Sequence, residues 1–446
     1  MKLITTIAIW MLLCAGCSSS IADTAADVTV AGIKKELALG ATEVSLDIKR
    51  LDSVLHIPAG VAWRPPRTPL KLTPNARLYI DGPMVGTASK KIFDAKPGQV
   101  MGHFGGLDVE VGWWSGWDPA VVEDAAPYIE AAAMAHRASP TTLQLWNKNL
   151  AQKYITGDIT GGVVHIPSGL WPIKTTIDLG SRYVQLRGSG NRTALHFIGL
   201  GEGVHGISIK GPATNTSIEE MAWIVDPSCH KTSSIVYINS GYLEGTHFKR
   251  IFSRGSKKAI FEIRGGSSNH FRVSDCHFIA PGNPDSVALL AEAMSNQLTW
   301  HNNTVANING AGQWAYHLSF YGYDRASVRD SHFESALVSA IRIKKGARRA
   351  ISSVSIQNCL HNWDNKFWKQ KPIDKSKGLL VLIEEPRANV TVQQCQVVNG
   401  YLVLRDEPHG VQVIQGGTGN KIIGEYIRSQ TEFKSFPSTL MSPIEE

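Results

Sequence analysis

The stretch VRDSHF (328–333) decides how this chain folds, because four other segments align with it without gaps. They are VSDCHF (273–278), WHNNTV (300–305), IQNCLH (356–361) and VQQCQV (392–397). Their fourth positions, Cys276, Asn303, Ser331, Cys359 and Cys395, follow one another at 27, 28, 28 and 36 residues. Their third positions read Asp275, Asn302, Asp330, Asn358 and Gln394. The series extends more weakly backward through FKRIFS (248–253) and IEEMAW (218–223), and forward through IIGEYI (422–427). Each unit holds short alternating strands and turn residues, with no run of helical length. A unit this short cannot bury its own apolar face, so it must stack on its neighbours. Turns stacked about 4.8 Å apart put equivalent residues in ladders, with the small fourth-position residues inward and the Asn/Asp column at a bend. The expected fold is all-β, a right-handed single-stranded parallel β-helix. Its cysteines read as inward ladder residues, and the stacking also allows a Cys359–Cys395 bridge. No CxxC pair marks a structural zinc site.

Upstream the pattern changes. Asp118 to Arg137 (DPAVVEDAAPYIEAAAMAHR) predicts an amphipathic, Ala-rich helix, followed by GGVVHIPSGLWPIKTTIDLGSRYVQLRGSG (161–190). The latter has the form Gly-Gly-Val-Val-x-Ile-Pro-x-Gly-x-Trp-x-Ile, then a strand, then Val-x-Leu-x-Gly-x-Gly. It resembles the opening of the pectin-lyase-like superfamily, which contains pectate lyases, polygalacturonases, alginate epimerases and phage tailspike depolymerases. VEVGWWSGWDPAVVEDAAPYIEAA (109–132) resembles the usual preface, an aromatic-Gly motif before a short helix that caps the coil. The resemblance covers about Leu78 to Ile427 and is specific for fold, much less so for activity.

The N-terminus points to export. Lys2 precedes an apolar run, Leu3 to Ala15, too short to span a membrane. LLCAGCSSS then resembles a bacterial lipoprotein signal with Cys17 as the lipidated residue, although Cys14 stands where that motif usually has Leu. Cleavage after Ala22 is the alternative. The organisation expected is a signal peptide (1–22), a strand-rich N-terminal region (23–110), the parallel β-helix (111–430) and a tail (431–446). The protein is expected in the periplasm or outer membrane, or secreted, touching the membrane only through a lipid anchor. Monomer and trimer both remain open.

Formal net charge is +7, and 339–377 alone carries ten Lys/Arg against Asp364 and Asp374. Such a surplus suits an anionic partner, and export argues for an acidic polysaccharide rather than nucleic acid.

A second strand precedes each aligned segment: AIFEIRGG (259–266), SVALLAEA (286–293), WAYHLSFYG (314–322), SAIRIKKG (339–346) and GLLVLIEE (378–385). Setting Phe261/Ile263, Leu289/Ala291, Leu318/Phe320 and Ile341/Ile343 inward puts their neighbours outward. The outer column then reads Glu262, Arg264, Leu290, Glu292, His317, Ser319, Tyr321, Arg342 and Lys344. In pectin-lyase-like enzymes this sheet commonly carries the substrate groove. The loop LHNWDNKFWKQKPIDKSKG (360–378) adds Trp363, Trp368 and Lys369, suited to sugar rings and acidic groups.

The leading expectation is a lyase that cleaves a uronate-containing polysaccharide by β-elimination. Arg342, Lys344, His317 and Tyr321 supply base, acid and charge, and Arg264 is a further carboxylate clamp. No cofactor is required, and a calcium ion, used by some β-helix lyases, stays open: a cluster of acids would be its sign, and this face offers Glu262 and Glu292. A glycoside hydrolase would need two carboxylates flanking the bond, for which Glu262, Glu292, Asp324, Asp330 and Glu334 are candidates, Asp330 belonging to the bend column. The Arg-Ile-Lys at 342–344 echoes a polygalacturonase motif, but the chain lacks that family's Asp-Asp pair and Gly-His-Gly. DEPHG (406–410) is only a loose relative of the Asp-Pro-His of alginate epimerases. The same features also suit a non-catalytic glycan-binding or exopolysaccharide-export protein and, without export, a trimeric tailspike-like depolymerase.

Overall fold

Parallel strands recur along the chain from Glu43 onward in a computed structural model. The structure describes residues 28–136, 161–180, 183–210, 213–214, 216–239, 242–265, 267–280, 285–292, 297–307, 314–321, 325–344, 353–362, 378–384, 389–398, 400–405, 411–414 and 424–425. Cys17 and the signal segment, Trp363, Trp368, Lys369 and the 431–446 tail lie outside the described residues.

One face of the coil is a ten-stranded parallel sheet, here the first sheet. Its strands are Ile177–Gly180, Ile207–Lys210, Val236–Asn239, Ala259–Arg264, Val287–Ala291, Tyr316–Tyr321, Ser339–Lys344, Leu379–Ile383, Gly400–Arg405 and Gly424–Glu425. Two further faces meet at a bend in each coil, for example Arg325–Arg329 before it and His332–Glu334 after it. Equivalent residues stack in register, as in the inward ladder Val273, Trp300, Val328, Ile356 and Val392. The protein is therefore a right-handed parallel β-helix, the hand that parallel crossovers take.

The repeat explains the bend. Asp275, Asn302, Asp330, Asn358 and Gln394 all have positive φ, between 49° and 58°. Arg250 and Glu220, from the weaker repeats, share that conformation. Asn and Asp accept the left-handed region better than other side chains, which accounts for most of the column. Side chains also bond along the stack: Asn302 Nδ2 donates to Asp275 Oδ1 at 2.8 Å, and Asn358 Nδ2 to Asp330 Oδ1 at 2.7 Å. The next residue of each unit points inward, and Cys276, Asn303, Ser331, Cys359 and Cys395 are all buried.

The thiols are free rather than bridged. Cys359 and Cys395 hydrogen-bond to each other, which with burial holds the Cys359 thiol well above its usual range. Burial, with the neighbouring Asp275 charge adding to it, pushes Cys276 up to about 12.

Coiling begins earlier than the repeat suggests. Glu43–Ser45 pairs with Ala62–Arg64, and Val54–Ile57 pairs with Arg77–Ile80, which pairs with Val100–Met101, all in parallel. These coils are short, 19 residues for Glu43↔Ala62 and 23 for Val54↔Arg77. Val109–Glu110 pairs with Gly161–His165, so the early coils run directly into the later ones.

The 118–137 segment departs from the expected single helix. It forms a 3-10 turn at Pro119–Val121 and an α-helix at Ala126–Ala135. Pro119 and Pro127 each favour a helix start and so divide the segment. Asp118 and Asp124 accept from the backbone N–H of Ala120 and Ala126. The helix is buried along Ala126, Ile129 and Ala131–Ala133, where it packs on strands of both the early and the later coils. Among the described residues, no helix is long and apolar enough to cross a membrane.

Candidate functional site

Alternation settles the 339–344 strand. Ile341 and Ile343 are fully buried, while Arg342 and Lys344 point outward and are half-exposed. Arg342 does not stand alone. Its Nε lies 3.2 and 3.1 Å from the two Glu384 oxygens and its Nη2 lies 2.8 Å from Oε1. The same guanidinium carbon sits 4.3 Å from the Tyr316 ring centre. One coil earlier, Ser319 pairs in register with Arg342, and Tyr321 with Lys344.

Further along the same face lies a second group. Glu262 and Arg264 both leave the outer side of the Ala259–Arg264 strand, flanked by Tyr237 and Leu290 in register with Glu262. Glu262 nevertheless has no exposed surface. Lys258 Nζ and Arg264 Nε each lie 2.5 Å from Oε1, and the Ser234 hydroxyl donates to Oε2. Burial would raise this carboxyl's pKa, but hydrogen bonds from Lys258, Ser234 and Arg264 outweigh it and hold it below the usual range. Arg264 also pairs with Glu292. Two cations thus balance two carboxylates.

Beside them, His205 stacks on Tyr237 with ring centres 4.0 Å apart and planes 7° from parallel. The Ser234 backbone N–H donates to His205 Nδ1. Burial lowers the pKa of this imidazole, as do Lys258 and Arg264, against an opposing pull from Glu262. The neutral tautomer that accepts at Nδ1 carries its proton on Nε2.

The sequence places Glu262, Arg264, Glu292, Arg342 and Lys344 correctly on one face. His317 is a correction: it is buried, with its ring 5.8 Å from Phe333 and 6.0 Å from Trp314. The reason is general to this sheet. Second strand positions Ile260, Ala288, His317, Ala340 and Leu380 are all buried, because the chain enters each strand from a corner where strict alternation does not yet hold. Glu262 is a second correction, since it is an ion-paired buried carboxylate and not an open groove acid. Tyr321 holds its expected strand position. Trp363, Trp368 and Lys369 lie outside the described residues.

Sequence reasoning missed Ser234, His205, Tyr237, Lys258, Tyr316 and Glu384. Glu384 carried a signal, since it follows Leu382 by two in an aligned strand. His205 and Tyr237 fall where the repeat is weakest. Among the described residues no cluster of three or more His, Cys, Asp or Glu has the arrangement of a metal site.

No protein-family model and no curated protein matches the chain. Solved structures similar to parts of it include the catalytic domain of a GH87 alpha-1,3-glucanase in complex with tetrasaccharides. That match has 12% identity and a TM-score of 0.38, and covers 56% of this chain and 53% of the other. An alginate lyase from Paenibacillus sp. str. FPU-7 matches at 11% identity and a TM-score of 0.31, over 60% of this chain and 94% of its own. ORF18 of Geobacillus virus E2 matches at 13% identity and a TM-score of 0.33, over 70% and 56% of the two chains. The chain spans about half the length of the glucanase domains it matches. Likenesses this distant say nothing of its chemistry.

Proposed function

We propose that this protein is exported and acts on a polysaccharide, cleaving an acidic, uronate-containing chain by β-elimination along the outer face of the first sheet. The observation that carries the reading is the strand register that sets position 321 against Lys344, two residues from the outward Arg342. β-Elimination breaks the C5–H and C4–O bonds, forms a C4–C5 double bond, and returns a proton to the departing oxygen. Arg342 and Lys344 supply positive charge for the sugar carboxylate, which makes the C5 proton removable. Tyr321 and Lys344 are the residue types able to take and return protons there; His317 is enclosed in the core. The Glu384 carboxylate occupies the guanidinium fork as a substrate carboxylate would.

Hydrolysis has less support. It needs one protonated and one ionised carboxyl group flanking the bond. Glu262 is held ionised, and both Glu262 and Glu292 are tied to Arg264.

The test is incubation of the protein lacking residues 1–22 with a panel of acidic polysaccharides, following ultraviolet absorbance of unsaturated uronate. Absorbance that rises with the parent and not with Lys344→Ala supports elimination on this face. New reducing ends without that absorbance would replace it with hydrolysis. Binding without either product would make the face a glycan-binding surface, as in an export protein.

A further inference from the structure

The Asn/Asp ladder at the bend has a break. Asn302 donates to Asp275 and Asn358 donates to Asp330, but among the described residues no hydrogen bond joins Asn302 to Asp330 across the intervening step. His301 reaches over instead, its Nε2 3.1 Å from Asp330 Oδ2. At this break an open pocket of about 370 Å³ is lined by Asn302, Thr304, Asp330, His332, Asn358 and Leu360, among others. That volume lies at the small end of ligand sites, roughly 300–1,000 Å³.

Hydrogen-bonding capacity remains at the walls. Each of Asn302 and Asn358 spends one amide hydrogen on the ladder, leaving a second hydrogen and a carbonyl oxygen. Asp330 accepts from Asn358 at Oδ1, has His301 Nε2 beside Oδ2 and keeps lone pairs left over, and Thr304 adds a hydroxyl. The composition narrows the ligand. No lysine or arginine lines the pocket, and Asp330 would repel an anion. A hard cation would want more than this one carboxylate. Leu360 is the one large aliphatic side chain of the lining, too little wall for an apolar ligand. Adjacent hydroxyls, each donating to an Asn or Asp oxygen and accepting from an amide N–H, match what is left.

We infer that the pocket at this ladder break binds a neutral sugar residue through its hydroxyl groups, at the bend and away from the charged row of the first sheet. The inference is independent of the elimination reading. It gives the coil a second point of contact, suited to an uncharged unit or branch of a glycan.

The test uses the protein lacking residues 1–22 and neutral trisaccharides of glucose, galactose and mannose, read by saturation-transfer NMR and titration calorimetry. Asn302→Gly keeps the left-handed backbone and removes the amide; Thr304→Val keeps the shape and removes the hydroxyl. The expected result is saturable binding of at least one trisaccharide, weakened about tenfold or more by Asn302→Gly and severalfold by Thr304→Val, with thermal unfolding retained. Arg342→Ala should leave it unchanged. Absence of binding by all three trisaccharides would overturn the inference. So would binding indifferent to both pocket variants, or binding lost in Arg342→Ala, which would assign the sugar to the first sheet.

Discussion

Arg342 grips Glu384 from the adjacent coil through two guanidinium nitrogens, at 2.8 to 3.2 Å, while its flat face lies against Tyr316. The pair is partly exposed, so water and salt screen it, and its net worth is about 1 kcal/mol or less. Glu384→Gln should therefore cost little stability while leaving the guanidinium short of its carboxylate partner. If the fork serves an acidic polymer, affinity for that polymer should rise in Glu384→Gln and fall in Arg342→Ala. Titration of both variants at two salt concentrations checks this, and an unchanged affinity in both would remove Arg342 from the groove.

Glu262 makes the opposite case, because its own carboxylate is fully enclosed. Glu262→Ala leaves Lys258, Arg264 and the Ser234 hydroxyl without their shared acceptor. Lys258 and Arg264 keep some access to water, so the loss should be about 2–3 kcal/mol rather than the full cost of an isolated buried charge. Denaturant unfolding measures it. A change below about 0.5 kcal/mol would mean the network relaxes without cost.

The histidines enclosed in the coil predict an acid limit to stability. His361 stacks in register on Phe333 and under Val397, and burial followed by repulsion from His332 lowers its pKa to about 3. His317 is lowered well below the usual range by burial, His361 and His332. Above pH of about 7.5 both are neutral folded and unfolded, so they impose no pH dependence. As pH falls from there toward 3, the unfolded chain gains protons that the native state refuses, and stability drops. For His361 alone the loss at pH 5 is about 2 kcal/mol. His361→Phe should flatten the unfolding profile between pH 7 and 4; an unaltered profile would assign the acid sensitivity elsewhere.

The left-handed column gives a backbone prediction. Asn302→Ala removes the bond to Asp275 and places a β-carbon without compensation at φ 52°. The expected cost is about 2 kcal/mol, against about 1 for Asn302→Gly, which suffers only the lost hydrogen bond. Equal losses in thermal unfolding would show that the conformation itself is not strained.

These features differ in how far the sequence discloses them. The bend was legible at Asp275, Asn302, Asp330 and Asn358 because a left-handed residue admits few side chains, so one requirement repeats as one residue type. The outward direction of Arg342 and Lys344 was legible because Ile341 and Ile343 alternate with them. His317 was not, since alternation assigns a face only once the chain is past the corner. The burial of Glu262 was not either. It depends on Ser234, 28 residues away, and on Lys258 reaching back around the strand's start. The earliest coils were legible only as short strands that a separate module or irregular coils would both explain, because those strands hold two to four residues at unequal offsets, too little for a period to emerge.

The ten-stranded sheet carries a further consequence. Each coil contributes one rung and moves the outer row forward by a single strand spacing, about 4.8 Å. The coil is thus a ruler graduated in rungs. Deleting or duplicating one complete coil would shift the distance between the Glu262 group and the Arg342 group by one graduation, and leave the contacts inside each group as they are.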